Sequence, residues 1–167
     1  MSESEERLPE GRRQKHEATV ESGGYPHRFE RSHLASELQD AYAELEPATE
    51  TDDPATVAGR LMLHRSFGKL QFGTLQDVSG TIQLFVDRAS AGEDVVESFD
   101  DLDLGDWVGA TGTIMTTKRG ELSVRVEELT LLQKALRPLP DKWHGLVDIE
   151  TRSRQRYVDL MVNPEAR

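Results

Sequence analysis

The chain has 167 residues, with 20 Lys and Arg against 31 Asp and Glu and a formal net charge of −11. That length suits one domain with appended elements, and the charge excludes a long basic track for a duplex backbone. There is no Cys, which excludes disulfides, thiolate catalysis and Cys-ligated zinc. The acidity lies towards the front: residues 1–54 hold 14 acidic and 6 basic side chains, 55–134 hold 12 and 8, and 135–167 hold 5 and 6. A site-specific contact with nucleic acid therefore stays open. No window approaches the roughly 18 apolar residues of a membrane span, so no membrane partner is expected. The opening "MSESEERLPEGRRQKHE" has no apolar core of a secretory signal, and a cytoplasmic location is expected.

In chain order, residues 1–11 read as a disordered tail. Residues 12–54 read as a helical extension and a linker. Helical pattern runs in two pieces between Gly11 and Glu46, split by the breaker "SGGYPHRF". Ser32 is the expected N-cap of the second piece, which carries Leu34, Leu38, Ala41, Tyr42 and Leu45 at helical spacing. "EPATETDDPA" reads as a polar linker ending at Pro54.

Across 55–134 the period switches to two. Strands are expected at 56–64, 70–76, 81–86, 106–115 and 121–132. A short helix with Val95, Val96 and Phe99 is expected between the third and fourth. This order fits the five-stranded Greek-key barrel called the OB-fold; it also fits a generic small β-barrel or sandwich. The fold class expected is mainly β, an OB-fold barrel with an N-terminal helical extension and a C-terminal connector over 135–167.

The second and third strands can be set in register. "DVSG" reads as a four-residue turn that places Gln76 opposite Thr81, Leu75 opposite Ile82, Gly73 opposite Leu84 and Phe72 opposite Phe85. Ile82, Leu84 and Val86 then face the core, and Phe72, Thr74, Gln83 and Phe85 lie outside. An odd loop length or a bulge would reverse the parity and bury Phe72. On an OB-fold this outer face stacks single-stranded bases on aromatics, and Gln can meet a base edge as donor and acceptor.

Other chemistry is not encoded. "GRLMLHRSFGKLQ" lacks the spacing of a phosphate loop, and the five histidines lack metal-ligand spacing. Ser66, Ser79 and Ser123 have no nucleophile-elbow context. The carboxylates of "DDLDLGDW" read as a solvated loop, without the order of a calcium site. No catalytic residue, metal ligand or cofactor is assigned.

The segment "ALRPLPDKWHGLVDIETRSRQRYVDLMVNPEAR" closely resembles the junction between the anticodon-binding and catalytic domains of class II lysine–tRNA ligases. "VAGRLMLHRSFGKLQFGTLQDVSGTIQLFV" is similar to the first three barrel strands of the same family, and "LGDWVGATGTIMTTKRGELSV" to the fourth and fifth. The resemblance implies a tRNA partner bound through its anticodon loop. It implies that Phe72 stacks on the middle anticodon base, that Gln83 and Arg65 hydrogen-bond that base, and that Glu121 contacts its neighbours. Lys69, Lys118 and Arg119 are candidate phosphate contacts by charge alone. The family's catalytic domain, with its ATP and Mg2+ sites and its homodimer core, is expected beyond Arg167, so the chain as given is expected not to be an enzyme. Gly73 stands where a bulkier core residue is expected. The competing readings are a non-catalytic interaction or assembly module and a free-standing, trans-acting tRNA-binding factor. Trp143, Leu146, Tyr157, Leu160 and Met161 would form an exposed apolar surface if the connector packs on nothing.

Overall fold

The computed structural model describes residues 9–140 and 148–166. It divides into two compact units, Met1–Leu136 and Arg137–Arg167. The tail expected at 1–11 lies outside the described residues up to residue 8, and so do Trp143 and Leu146.

Helix α1 spans Glu10–Glu21 and buries no side chain. It is held by its cations instead. Arg12 donates to the carbonyls of Leu104 at 3.0 Å and Ala135 at 2.9 Å, and Lys15 pairs with Asp101 and Asp103. Further on, the ring of Phe29 lies against Gly109, where any Cβ would sit within 2.3 Å of the ring.

Helix α2 spans Ala35–Ala41, and its start corrects the sequence expectation. Ser32 does not cap it; Ser32 instead pairs with the backbone of Thr56, whose N–H donates to Ser32 Oγ at 2.8 Å. The free N–H groups of the first turn are satisfied from the turn at Asp77–Gly80. Ala35 N–H donates to Asp77 and Ser36 N–H to Ser79 Oγ, while Glu37 reaches back to Leu34 N–H. A cap supplied by a distant turn leaves no local sequence signature.

The barrel strands are β1 (Glu50–Phe67), β2 (Leu70–Gln76), β3 (Thr81–Asp87), β4 (Trp107–Thr116) and β5 (Leu122–Gln133). They close in the order β1-β2-β3-β5-β4. All pairings are antiparallel except β3 with β5. β1 serves two neighbours, β4 through its first half and β2 through its second, with a register shift between Leu61 and Leu63. It begins at Glu50, inside the segment expected to be a linker. Residues 50–54 are exposed or half-buried around a register shift, where Pro is tolerated and no alternation appears. The β2–β3 register is the one expected from the turn, residue for residue.

Leu61, Leu75, Ile82, Leu84, Val86, Val108, Ile114, Val124 and Val126 fill the barrel. After β3 come a one-turn helix α3 (Arg88–Ala91), capped by Asp87 through the N–H groups of Ala89 and Ser90, and helix α4 (Glu93–Asp100). Val96 and Phe99 of α4 face the core. Phe99 resolves the small residue at position 73: a Cβ there would lie 2.8 Å from Phe99 Cζ and 3.0 Å from Leu61 Cδ1. The space is filled by a ring from a different element, so the expectation of a bulkier residue is corrected.

The acidic loop before β4 is also not simply solvated. Asp106 is fully buried. It accepts from Lys134 Nζ at 2.6 Å, from Asp103 N–H at 2.9 Å and from Ala135 N–H at 2.8 Å. Lys134, almost wholly buried, bridges Asp106 and Asp103. Burial opposes ionisation of Asp103, but Lys134, Arg12 and Lys15 together hold its carboxyl below the usual range.

In the second unit α5 (Ile149–Arg154) and α6 (Arg156–Val162) precede a 3-10 turn at Pro164–Ala166. Asp148 caps α5 through Thr151. The buried Asp159 accepts from Asn163, Arg152 and Arg156. The hydrogen bond from Asn163 leads in lowering its pKa; the two guanidinium groups add to it against the opposing effect of burial. Ile149, Tyr157 and Leu160 are exposed and Met161 is half-buried. No helix among the described residues is long and apolar enough to cross a membrane.

Gly73→Ala should destabilise the fold by about 1–3 kcal/mol through overpacking, and Phe99→Leu in the same chain should recover part of that loss. Urea denaturation of the two single variants and the double variant measures the coupling; strict additivity would refute the packing account.

A second expectation concerns acid. Burial raises the pKa of Asp77 and Asp87 as it does that of Asp103, yet hydrogen bonds leave all three low. Their folded pKa values lie below the unfolded ones, so their contribution is present above the unfolded value and is lost as pH falls through the folded value. Melting temperature should therefore drop steadily below about pH 5; a flat profile down to about pH 3 would contradict it.

Candidate nucleic-acid interface

Cross-strand pairing lays the outer face of the barrel out in rows. Arg65 of β1 stands opposite Phe72 of β2, Phe72 opposite Phe85 of β3, and Phe85 beside Arg125 of β5. One row along, Leu63, Thr74, Gln83 and Ser123 align in the same way. The alternation of β2 and β3 forces this arrangement: with Leu75, Ile82, Leu84 and Val86 turned inward, Phe72, Gln83 and Phe85 must face out. All three are half-buried.

Arg65, Phe72, Gln83 and Phe85 of these rows line a cleft of about 760 Å3, within the size range of small-ligand sites. Its walls are two hairpin turns. The β1–β2 turn contributes Phe67 and Leu70, and the β4–β5 turn contributes Thr117, Lys118, Arg119 and Glu121. Gly68 and Gly120 make the two turns with φ of +63° and +81°, a conformation open to glycine at little cost. Thr117 closes the second turn, since its N–H donates to the Glu121 carbonyl and Gly120 N–H donates to the Thr117 carbonyl.

The structure brings Arg65, Phe72, Gln83 and Glu121 together on this one cleft, with Lys118 and Arg119 at its wall. Lys69 is exposed in the neighbouring turn but does not line the cleft. The aromatic floor is continuous: Phe72 meets Phe85 edge to face at 5.4 Å between centroids, and Phe67 meets Phe72 at 6.1 Å. Phe67, 64% exposed, was not anticipated; its only signal is an apolar residue directly before a Gly-Lys turn. Ser123 was not anticipated either. Its hydroxyl donates to Gln83 Oε1 at 2.9 Å, a contact created by the parallel β3–β5 pairing.

The electrostatics set this face apart. Most cations of the first unit are engaged. Arg125, beside Phe85, pairs with Glu50 at 2.8 Å and Asp87 at 3.4 Å. Arg65, Lys118 and Arg119 carry no ion pair among the described residues. Three free cations and a run of aromatic rings on one concave surface suit a single-stranded nucleic acid, with bases on the rings and phosphates near the charges. Among the described residues no cluster of His, Cys, Asp and Glu could hold a metal ion.

Comparison with known proteins gives the same direction. Residues 55–132 match the tRNA anticodon family model, described as an OB-fold nucleic acid binding domain. The lysine–tRNA ligase of Thermosynechococcus vestitus is 55% identical over 148 residues, which cover 86% of this chain and 29% of that protein. The lysine–tRNA ligase of Synechococcus sp. is 48% identical and matches 96% of the chain and 32% of its own length. That of Cupriavidus metallidurans is 48% identical over 170 residues, 100% of the chain and 33% of its own length. The chain thus spans about a third of the relatives that it matches. Residues 55–132 match the OB-fold nucleic acid binding domain family, in a chain similar along most or all of its length to about a third of each of these lysine–tRNA ligases.

Proposed function

We propose that this chain recognises the anticodon loop of a lysine tRNA, with a UUU- or CUU-type anticodon. Phe72 provides the stacking surface for the middle base. Gln83 and Arg65 address that base's edge, and Glu121 meets neighbouring anticodon bases. Lys118 and Arg119 stand at the wall as phosphate contacts. The observation that carries the reading is the convergence of these side chains on one cleft of an otherwise acidic protein.

Selectivity on such a face is physical. Stacking on an aromatic ring is worth about 1–3 kcal/mol per base and accepts every base. Discrimination comes from the edge, where a wrong base leaves a polar group unpaired. Ligation of lysine to tRNA, with ATP and Mg2+, is assigned to a separate catalytic domain of the full-length ligase, and so is homodimer formation. No catalytic step is assigned to residues of this chain, and its setting is cytoplasmic.

The test is a titration at fixed low salt with a labelled anticodon stem-loop, comparing a UUU anticodon with one whose middle U is C. The chain should prefer UUU, and Phe72→Ala should weaken UUU binding by about 5- to 100-fold. Equal, weak binding of every loop by both proteins would overturn the proposal and favour an assembly role.

Salt dependence gives a separate readout. Removing both Lys118 and Arg119 should lower the slope of log affinity against log salt by about 0.7 for each phosphate that is no longer neutralised. An unchanged slope would take both residues off the RNA.

A further inference from the structure

Resting on the anticodon reading above, we infer that Ser123 is a positioning residue that fixes the polarity of the Gln83 amide, and thereby makes the cleft select a base with a carbonyl oxygen at the edge it reads.

A glutamine amide presents an acceptor on one side and a donor on the other. On a free side chain the two exchange by rotation, and such a residue accepts uracil and cytosine alike. The two bases differ at position 4, where uracil carries an oxygen acceptor and cytosine an amino donor, and at N3, a donor in uracil and an acceptor in cytosine. A Gln that discriminates between them must be held one way round.

The structure supplies the restraint. Ser123 is fully buried on β5, in direct register with Gln83 on β3. Its hydroxyl has a single proton and two acceptors in reach, Gln83 Oε1 at 2.9 Å and the Glu121 carbonyl at 3.2 Å. The nearer one takes it. With Oε1 occupied from below, the NH2 group of Gln83 is left for the cleft, and it engages no other partner among the described residues. Phe72 and Gln83 are diagonal cross-strand neighbours, Phe72 lying opposite Phe85 and Gln83 opposite Thr74. Diagonal neighbours on one face are within reach of a planar ring, so a base stacked on Phe72 brings its edge to that NH2 group. The hydroxyl itself stays out of contact with the RNA and acts through the amide alone.

The opposite arrangement is chemically well defined. If the Ser123 proton went to the Glu121 carbonyl, Gln83 would donate to the hydroxyl and turn its oxygen to the cleft, and cytosine would be preferred. The sign of the preference therefore reports the proton's place.

The experiment uses the full chain and four proteins: wild type, Ser123→Ala, Gln83→Glu and Phe72→Ala. Each is titrated with stem-loops carrying U or C at the middle anticodon position, after matched thermal melts. Wild type should prefer U by roughly tenfold or more. Ser123→Ala should bring the two loops to within about threefold of each other while still binding both, because stacking persists when an edge contact loosens. Gln83→Glu replaces the donor with an acceptor and should invert the preference. A wild-type preference for C, or a U-over-C ratio unchanged by Ser123→Ala, would overturn the inference while leaving anticodon binding in place. Failure of wild type to bind any loop better than Phe72→Ala would instead remove the reading on which it rests.

Discussion

The parallel contact between β3 and β5 is the constraint on which the rest of the molecule depends. It consists of three register pairs, Gln83 with Ser123, Leu84 with Val124 and Phe85 with Arg125. Every other strand pairing is antiparallel and joins strands either through a tight turn or along the length of β1 and β4. Without this closure the sheet would have two open edges. With it, Leu84 and Val124 seal the core from inside, while the residues on either side of them meet on the outer surface. The same three pairs thus finish the hydrophobic barrel and bring Ser123 beneath Gln83 and Arg125 beside Phe85. Stability and the layout of the cleft have one origin.

Charge is distributed to the same end. A chain of net charge −11 repels a phosphate backbone as a whole, so affinity has to come from local arrangement. Elsewhere in the first unit several cations hold the fold: Arg12 and Lys15 fasten α1 to the loop at residues 101–106, and Lys134 neutralises the buried Asp106. Arg125, although it stands beside Phe85, is tied to Glu50 and Asp87. What is left over near the rings is Arg65 with Lys118 and Arg119, two of them on a turn tip. An acidic surround with a small cationic opening disfavours nonspecific binding along a duplex and leaves a short single-stranded segment as the better match.

The sequence was most legible where a local rule sets the geometry. The four-residue turn at Asp77–Gly80 fixes the β2–β3 register, and the alternation of Ile82, Leu84 and Val86 fixes the inner face. Phe72 and Gln83 followed from these two facts. Their convergence with Arg65 and Glu121 was implied only by family resemblance, because Arg65 lies near the exposed end of β1 and Glu121 in the turn before β5, where no buried alternation marks a face. Three of the features that were missed are non-local. Helix α2 is capped by Asp77 and Ser79, about forty positions on; Gly73 is covered by Phe99 of α4; Asp106 is buried because Lys134 returns to it after the whole of β5. In each case the residue that explains the anomaly is distant in sequence. The strand start at Glu50 was missed for another reason. An exposed, Pro-containing strand end has neither alternation nor apolar content to reveal it.

The aromatic floor shows how such a face can be rigid before anything binds. Phe67, Phe72 and Phe85 are arranged edge to face, the geometry favoured by the ring quadrupoles, so each ring is oriented by its neighbour. Gln83 is oriented by Ser123 from beneath. A half-exposed Phe gives up part of the stabilisation it would have in the core, but a preorganised ring and amide lose little conformational freedom when a base arrives. Mobile side chains would bind every base with similar weakness. A surface that distinguishes one base from another by a single donor needs that donor fixed in advance, and fixing it requires a partner from a strand on the far side of the barrel closure. The closure between β3 and β5 is therefore a condition for specificity as well as for the fold.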